Sequence, residues 1–190
     1  MTPKEIIEGY INLKNYSSSN GWVGFCETSG SYSFELCSQV INDFLNYFSD
    51  DIEGSTIIFS LSTWGSVDEL IEDYGLSDQQ VEILHRLQKL GWLESNMESD
   101  HSFNMIEFNS YERSHIYNLL LSIMFIGDVL GSIFILIPSK KLVFYPHEDI
   151  GFGVVASDLN DAMATAFLTH MSKNTKLKSY KGGRSTDNTI

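Results

Sequence analysis

The chain has 190 residues, 43% of them apolar, and a formal net charge of −13. This length and apolar fraction are typical of one globular domain with a full core, and they exclude an intrinsically disordered chain. The negative charge repels nucleic-acid phosphates and anionic membranes, so we expect no nucleic-acid partner and favour basic protein surfaces as partners.

The carboxylates are concentrated in the middle of the chain. Residues 41–110 hold fourteen of them and only two basic side chains, Arg86 and Lys89. Residues 1–171 carry 24 Asp and Glu against 7 Lys and Arg, whereas residues 172–190 carry five basic side chains and one acid. We therefore predict a single globular domain over residues 1–171, followed by a basic, disordered tail over residues 172–190.

Four local patterns precede the most acidic segment. Apolar residues at helical spacing predict a first helix over residues 3–13. Two β-prone runs, at residues 22–26 and 32–36, flank a Gly-containing turn and predict a β-hairpin. Ser38 is a suitable N-cap for an amphipathic helix. The β-branched and aromatic run at residues 56–61 predicts an inner strand.

Two short amphipathic helices follow, over residues 66–74 and 77–90, which we call the acidic helical pair. Ser66 and Ser77 are N-caps at their starts, and Ser77 forms a capping-box pattern with a Gln three positions later. A glycine follows each helix, as is common at helix C-termini. Five carboxylates are the predicted contact rim for a basic partner: Asp68, Glu69, Glu72, Asp73 and Glu82. Trp64 and Trp92 flank the pair and are candidate apolar anchors for a partner.

The segment at residues 116–137 is apolar, with Asp128 as its only charge, and it is long enough to cross a bilayer. A carboxylate at a bilayer centre costs about 2.5–3.5 kcal/mol. We therefore favour two buried elements joined by a turn near Gly127, the first of them a helix that Ser110 caps and that runs to about residue 125. A strand over residues 103–108 is predicted before that helix.

Three short apolar runs, at residues 131–137, 142–145 and 152–156, are separated by turn-forming sequences and predict an antiparallel meander. Asp158 is a candidate N-cap for a last helix. Together these patterns predict an α+β fold in one domain, with a mostly antiparallel sheet of four to six strands and helices packed on it.

The stretch SIFILIPSKKLVFYPHEDIGFGVVASDLNDA resembles the C-terminal part of a family of small bacterial domains of unknown function. That family has a helix, a strand, a short turn, a second strand, a Tyr-Asp-Asp-Arg-Gly turn and a third strand. The segment at residues 145–151 stands in place of this turn but lacks its Arg. Some small acidic domains of this general type are similar to immunity proteins of bacterial toxin systems. The resemblance implies a protein-binding domain.

His147, Glu148 and Asp149 form the densest polar group in a predicted turn. They are an alternative site, where a hydrolase or nuclease could hold a proton donor or a metal edge. The simpler interpretation is a solvated turn, because three adjacent residues rarely converge on one ion. Cys26 and Cys37 are expected to be free buried thiols. No nucleophile, phosphate-binding or metal motif is present, so we expect no catalytic residue, cofactor or metal.

These patterns favour a cytoplasmic protein-binding domain rather than an enzyme, because the N-terminus is acidic where a secretion signal would be apolar. The leading hypothesis is an immunity protein that blocks a basic toxin domain by steric and electrostatic occlusion. One alternative is the small hydrolase or nuclease described above. The other is a membrane-attached accessory protein that spans the bilayer with residues 116–137.

Overall fold

The computed structural model describes residues 1–28, 30, 32–95, 102–158 and 161–182, and it confirms the α+β class. The described residues contain six α-helices. They are α1 Pro3–Glu8, α2 Phe34–Tyr47, α3 Val67–Tyr74, α4 Asp78–Lys89, α5 Arg113–Phe125 and α6 Ala162–Met171. The same residues contain eight strands. They are β1 Trp22–Thr28, β2 Thr56–Thr63, β3 Glu94–Ser95, β4 Asn104–Glu107, β5 Val129–Ile137, β6 Leu142–His147, β7 Gly151–Ala156 and β8 Leu177–Lys181.

All eight strands belong to one mixed sheet, with the order β3-β2-β5-β6-β7-β1-β8 and with β4 beside β2. Every pairing is antiparallel except the short parallel contact of β2 with β3. The expected number of four to six strands is too low. The two additional strands, β3 and β8, lie at the two ends of the order. Strand β3 has only two residues, and the five residues of β8 are mostly polar, so neither shows an alternating apolar pattern.

The sheet is buried on both faces. One face packs against the long helices α2, α5 and α6, with Phe44 of α2 in ring contact with Phe144, Phe152 and Phe167. The opposite face carries a second, smaller core that Ile7, from the N-terminal segment, helps to cover. Successive residues of each strand point to opposite faces, which is why the inner strands are nearly continuous apolar runs.

The predicted meander is confirmed as β5, β6 and β7, and four residues of its smaller-core face are buried. These residues are Phe134, Leu136, Val143 and Val155. The apolar segment at residues 116–137 divides into the end of α5, a turn at residues 126–128 and β5. None of the described helices is long and apolar enough to cross a membrane.

The predicted hairpin is wrong, because residues 34–36 form the first turn of α2. The Ser33 hydroxyl, rather than Ser38, caps this helix by accepting a hydrogen bond from the Leu36 N–H at 3.2 Å. The first β-prone run instead forms β1, which pairs with β7 and β8. Leu36, Val40 and Phe44 recur at helical spacing and are all buried, so their packing outweighs the local β propensity.

Three other predicted boundaries also differ from the structure. Helix α1 ends at Glu8 rather than at residue 13, and Glu112 rather than Ser110 occupies the N-cap position of α5, without a side-chain cap hydrogen bond. The last helix begins at Ala162, with Asp161 rather than Asp158 at its N-cap position. The prediction of a disordered tail is wrong for residues 172–182, because β8 pairs along β1 and buries Leu177. Residues 183–190 lie outside the described residues.

Candidate functional sites

The acidic helical pair forms as predicted. Ser66 and Glu69 close a capping box at the start of α3, in which the Ser66 N–H donates to a Glu69 carboxylate oxygen at 2.8 Å. Ser77 and Gln80 form the equivalent box at α4. Gly75 ends α3 in the left-handed conformation, with φ of 60°. The two helices are therefore specified by their own termini, and their apolar sides are free to pack inward.

The five predicted partner-binding carboxylates are all exposed, but two of them already have intramolecular roles. These five are Asp68, Glu69, Glu72, Asp73 and Glu82. Hydrogen bonding to the Ser66 backbone and side chain lowers the pKa of Glu69. Glu82 forms an ion pair with Arg86 at 2.8 Å, one turn further along α4. Among the described residues, the other three carboxylates have no hydrogen-bond or ion-pair partner, so they remain available to a ligand.

The two candidate tryptophans occupy different environments. Trp64 is 63% exposed and lies between the end of β2 and the start of α3. Trp92 is only 4% exposed and packs edge-on against Phe59 and Tyr111. The prediction that Trp92 is a surface anchor is therefore wrong, because a ring that completes the core cannot reach a partner without breaking that packing.

Tyr74 is an exposed aromatic residue that the helical periodicity did not identify. The spacing of Val67, Leu70, Ile71 and Tyr74 predicts a common apolar face, yet Tyr74 is 59% exposed while Val67 and Leu70 are buried. The helix ends at Tyr74, so the core beneath it does not extend to the last turn. Trp64 and Tyr74 thus lie at the two ends of α3, with four exposed carboxylates between them in the sequence.

A shallow groove of about 710 Å³ lies beside α4 and the start of α5. Its lining contains Arg86 and Lys89, the only basic residues of the acidic segment, together with Asp78 and Glu82. The two acids belong to the N-terminal half of α4 and the two bases to its C-terminal half, so the groove contains both signs of charge. A ligand in the groove would therefore meet both positive and negative charges, whereas the exposed charges of α3 are all negative.

The alternative site at His147, Glu148 and Asp149 is not formed as one cluster. His147 and Glu148 line a cavity of about 280 Å³, whereas Asp149 is turned away and accepts a hydrogen bond from the Tyr32 hydroxyl at 2.7 Å. Ile150, which follows in the same turn, has a positive φ of 52°. The three residues therefore do not converge on a common ligand.

His147 has an unusual environment. Its Nε2 atom is buried and has no hydrogen-bond partner among the described residues, and its ring lies edge-on to Phe25 with 5.9 Å between ring centroids. Burial lowers the pKa of His147, although the negative charge of Asp149 and hydrogen bonding to the Cys26 backbone oppose the shift. The imidazole is consequently neutral at neutral pH.

The cavity lies where the sheet opens. Strands β5 and β6 pair only between residues 135–137 and 142–144, and they diverge beyond that point. The cavity occupies the gap between residues 129–133 of β5 and residues 145–148 at the other strand. The end of α5 closes one side. Tyr16 lies at the other side, and its hydroxyl hydrogen-bonds the Ser132 hydroxyl at 2.5 Å.

The cysteines are free and buried, as predicted. The Cys26 thiol donates to the Phe152 carbonyl at 3.7 Å, and the Cys37 thiol donates to the Met124 carbonyl at 3.5 Å. Burial raises the pKa of each thiol to about 11, so both are protonated at neutral pH. Neither has the properties of a nucleophile. The part of the chain that the structure describes contains no group of three side chains suited to hold a metal ion.

No protein-family model, curated protein or solved structure matches this chain.

Proposed function

We propose that this chain is a cytoplasmic protein-binding domain that binds a basic protein through the outer surface of α3. The observation that carries this proposal is the exposed position of Trp64 and Tyr74 at the two ends of an acidic helix. Tryptophan and tyrosine are enriched among the residues that contribute most to binding at protein interfaces, and here they flank exposed carboxylates that can attract a basic partner.

The two kinds of side chain have separate roles in binding. The exposed carboxylates Asp68, Glu72 and Asp73 attract a basic surface from a distance and accelerate its approach. Trp64 and Tyr74 are then buried against the partner and slow its release. Glu69 contributes charge but stays in the capping box, so its main effect is on the helix itself.

Within this class we propose an immunity protein that neutralises a basic toxin domain. A toxin that acts on phosphates needs Lys and Arg side chains at its active surface, and an acidic helix that covers them blocks the substrate sterically and electrostatically. The resemblance of the C-terminal half to small bacterial domains supports this specific form of the proposal. The mechanism requires occlusion alone and no chemical step.

The test is capture of the native partner from the source cell with the full chain as bait, followed by kinetic measurement with the purified partner. We expect a partner with a positive net charge. The variant Asp68→Asn, Glu69→Gln, Glu72→Gln, Asp73→Asn should lower the association rate at least tenfold at low salt, because it removes the steering charges. Trp64→Ala should instead increase the dissociation rate.

A matched control carries the same change of net charge elsewhere. Glu8, Glu35, Asp50 and Glu53 are exposed and lie outside the acidic helical pair. Their combined replacement by Gln or Asn should leave association nearly unchanged. If the two fourfold variants slow association equally, the effect is one of net charge and the α3 surface is not the interface.

Growth of a host that expresses the partner distinguishes the immunity function from simple binding. Expression of the partner alone should stop growth, and co-expression of this chain should restore it. Protection should disappear when Trp64→Ala is combined with the fourfold neutral variant. A partner that binds but is harmless when expressed alone would refute the immunity function while leaving the binding function intact.

A further inference from the structure

We propose that the cavity between β5 and β6 binds a small primary amine, a molecule with one hydrocarbon ring and one ammonium group. The site is distinct from the α3 surface and does not depend on the proposed partner. Four features of the cavity carry this inference: the opened sheet, the apolar and aromatic lining, the sign of the nearby charges and the available volume.

The opening between β5 and β6 leaves backbone polar groups facing the cavity. Strand β5 remains paired with β2 along residues 129–136, and β6 remains paired with β7 along residues 142–147. Only their facing edges separate beyond residues 135 and 144. Pro146 has no N–H with which to continue a ladder. Backbone groups along such an edge require partners, and a ligand that has both polar and apolar parts can supply them.

The cavity wall has an apolar base. Ile123, Ile126 and Ile133 provide hydrocarbon surface for a ring. His147 also lines the cavity, but its Nε2 atom is buried and therefore not exposed to a ligand there. The ligand is therefore expected to place an apolar ring against the isoleucine side chains.

The charges around the cavity favour a cation over an anion. Glu148 lines the cavity and is exposed to solvent. Asp128 lies between the lining residues Gly127 and Val129. Among the described residues, no lysine or arginine lines the cavity. A carboxylate or phosphate ligand would thus meet like charge without a counter-charge, whereas an ammonium group would meet opposite charge.

The aromatic side chains of the cavity also favour an organic cation as the ligand. Tyr16 and Tyr145 both line the cavity, with their rings edge-to-face and 4.8 Å between centroids. Tyrosine rings attract organic cations through their negative faces. The volume, about 280 Å³, is at the lower end of the range for small-molecule sites and fits one ring with a short side chain.

Three probes of nearly equal size test the proposal: phenethylamine, 2-phenylethanol and phenylacetate. Each is titrated into the uniformly ¹⁵N-labelled full chain, and the backbone amide signals of the lining residues Gly127, Gly131 and Ser132 are followed by NMR. We expect saturable shifts at these residues with phenethylamine. The alcohol should bind more weakly and phenylacetate weakest, because only the amine meets opposite charge.

Glu148→Gln keeps the size of the side chain and removes its charge, and Glu72→Gln on α3 is the matched control. Glu148→Gln should weaken phenethylamine about twofold to fivefold and leave 2-phenylethanol unchanged. Glu72→Gln should change neither. Shifts at residues outside the cavity, phenylacetate binding as tightly as phenethylamine, or equal effects of the two variants would each overturn the proposal.

Discussion

The replacement Leu177→Ala measures whether β8 is part of the folded domain. Leu177 is 4% exposed and belongs to the main core, and its strand pairs with β1 over five residues. The ring of Tyr180 stacks on Phe25 with 4.8 Å between centroids, on the other side of the same strand. The C-terminal strand therefore contributes both a ladder and buried side chains.

Truncation of a buried Leu to Ala costs about 2–5 kcal/mol, through lost transfer energy and the cavity that remains. Leu177 lies on the edge strand of the sheet, where neighbours can relax, so we expect the lower part of this range, about 2–3 kcal/mol. For a domain of this size, 1 kcal/mol shifts the melting temperature by about 2–4 °C. The expected decrease is therefore about 4–12 °C.

Thermal unfolding followed by circular dichroism provides the assay, with Lys178→Ala as the matched control. Lys178 is exposed and adjacent in the same strand, so its truncation should change stability by less than about 0.5 kcal/mol. Deletion of residues 172–190 should lower the melting temperature more than Leu177→Ala does. A Leu177→Ala variant as stable as the control would show that β8 does not dock on β1 in solution, and the reasoning would fail.

Three further predictions follow from buried groups. Because the pKa of His147 is lowered in the folded state, the unfolded state binds more protons below about pH 6.5, so the melting temperature should fall from pH 7 to pH 5. This dependence of the melting temperature on pH should be weaker in His147→Gln. An unchanged dependence in that variant would contradict the lowered pKa. Cys26 and Cys37 should react with a thiol reagent at pH 8 only upon unfolding, whereas rapid labelling of the native chain would show that they are accessible. Gly151→Ala should lower the free energy of unfolding by at least about 2 kcal/mol in chemical denaturation, because its methyl carbon would lie 1.7 Å from the Cys26 carbonyl oxygen. Gly54→Ala is the control and should be nearly neutral, because the space around Gly54 is open.

Local signals predicted the acidic helical pair almost residue by residue. Ser66 and Ser77 carry their capping information within one helical turn, and Gly75 provides a conformation that other residues adopt at a cost. The meander was also predictable, because each of its strands is apolar on both faces and bounded by turn residues. These features depend on neighbours in the sequence and need no knowledge of the rest of the fold.

Long-range packing decided the parts that were predicted wrongly. Residues 32–36 have β propensity, but Ser33 caps a helix whose apolar side meets the sheet. Residues 177–181 look like a polar tail, yet β1 offers an open edge to which they pair. Backbone pairing with a distant strand leaves no periodic trace in a short polar segment, so sequence pattern alone could not reveal β8.

The candidate sites divide in the same way. The sequence by itself determined the acidic charge, the outward carboxylates and the α+β class, because these depend on composition and local periodicity. Only the tertiary structure decided which aromatic rings reach the surface, placing Trp92 in the core and Tyr74 outside it. It also created the cavity beside His147, since a gap between β5 and β6 depends on where two strands stop pairing, and no local stretch of sequence specifies that point.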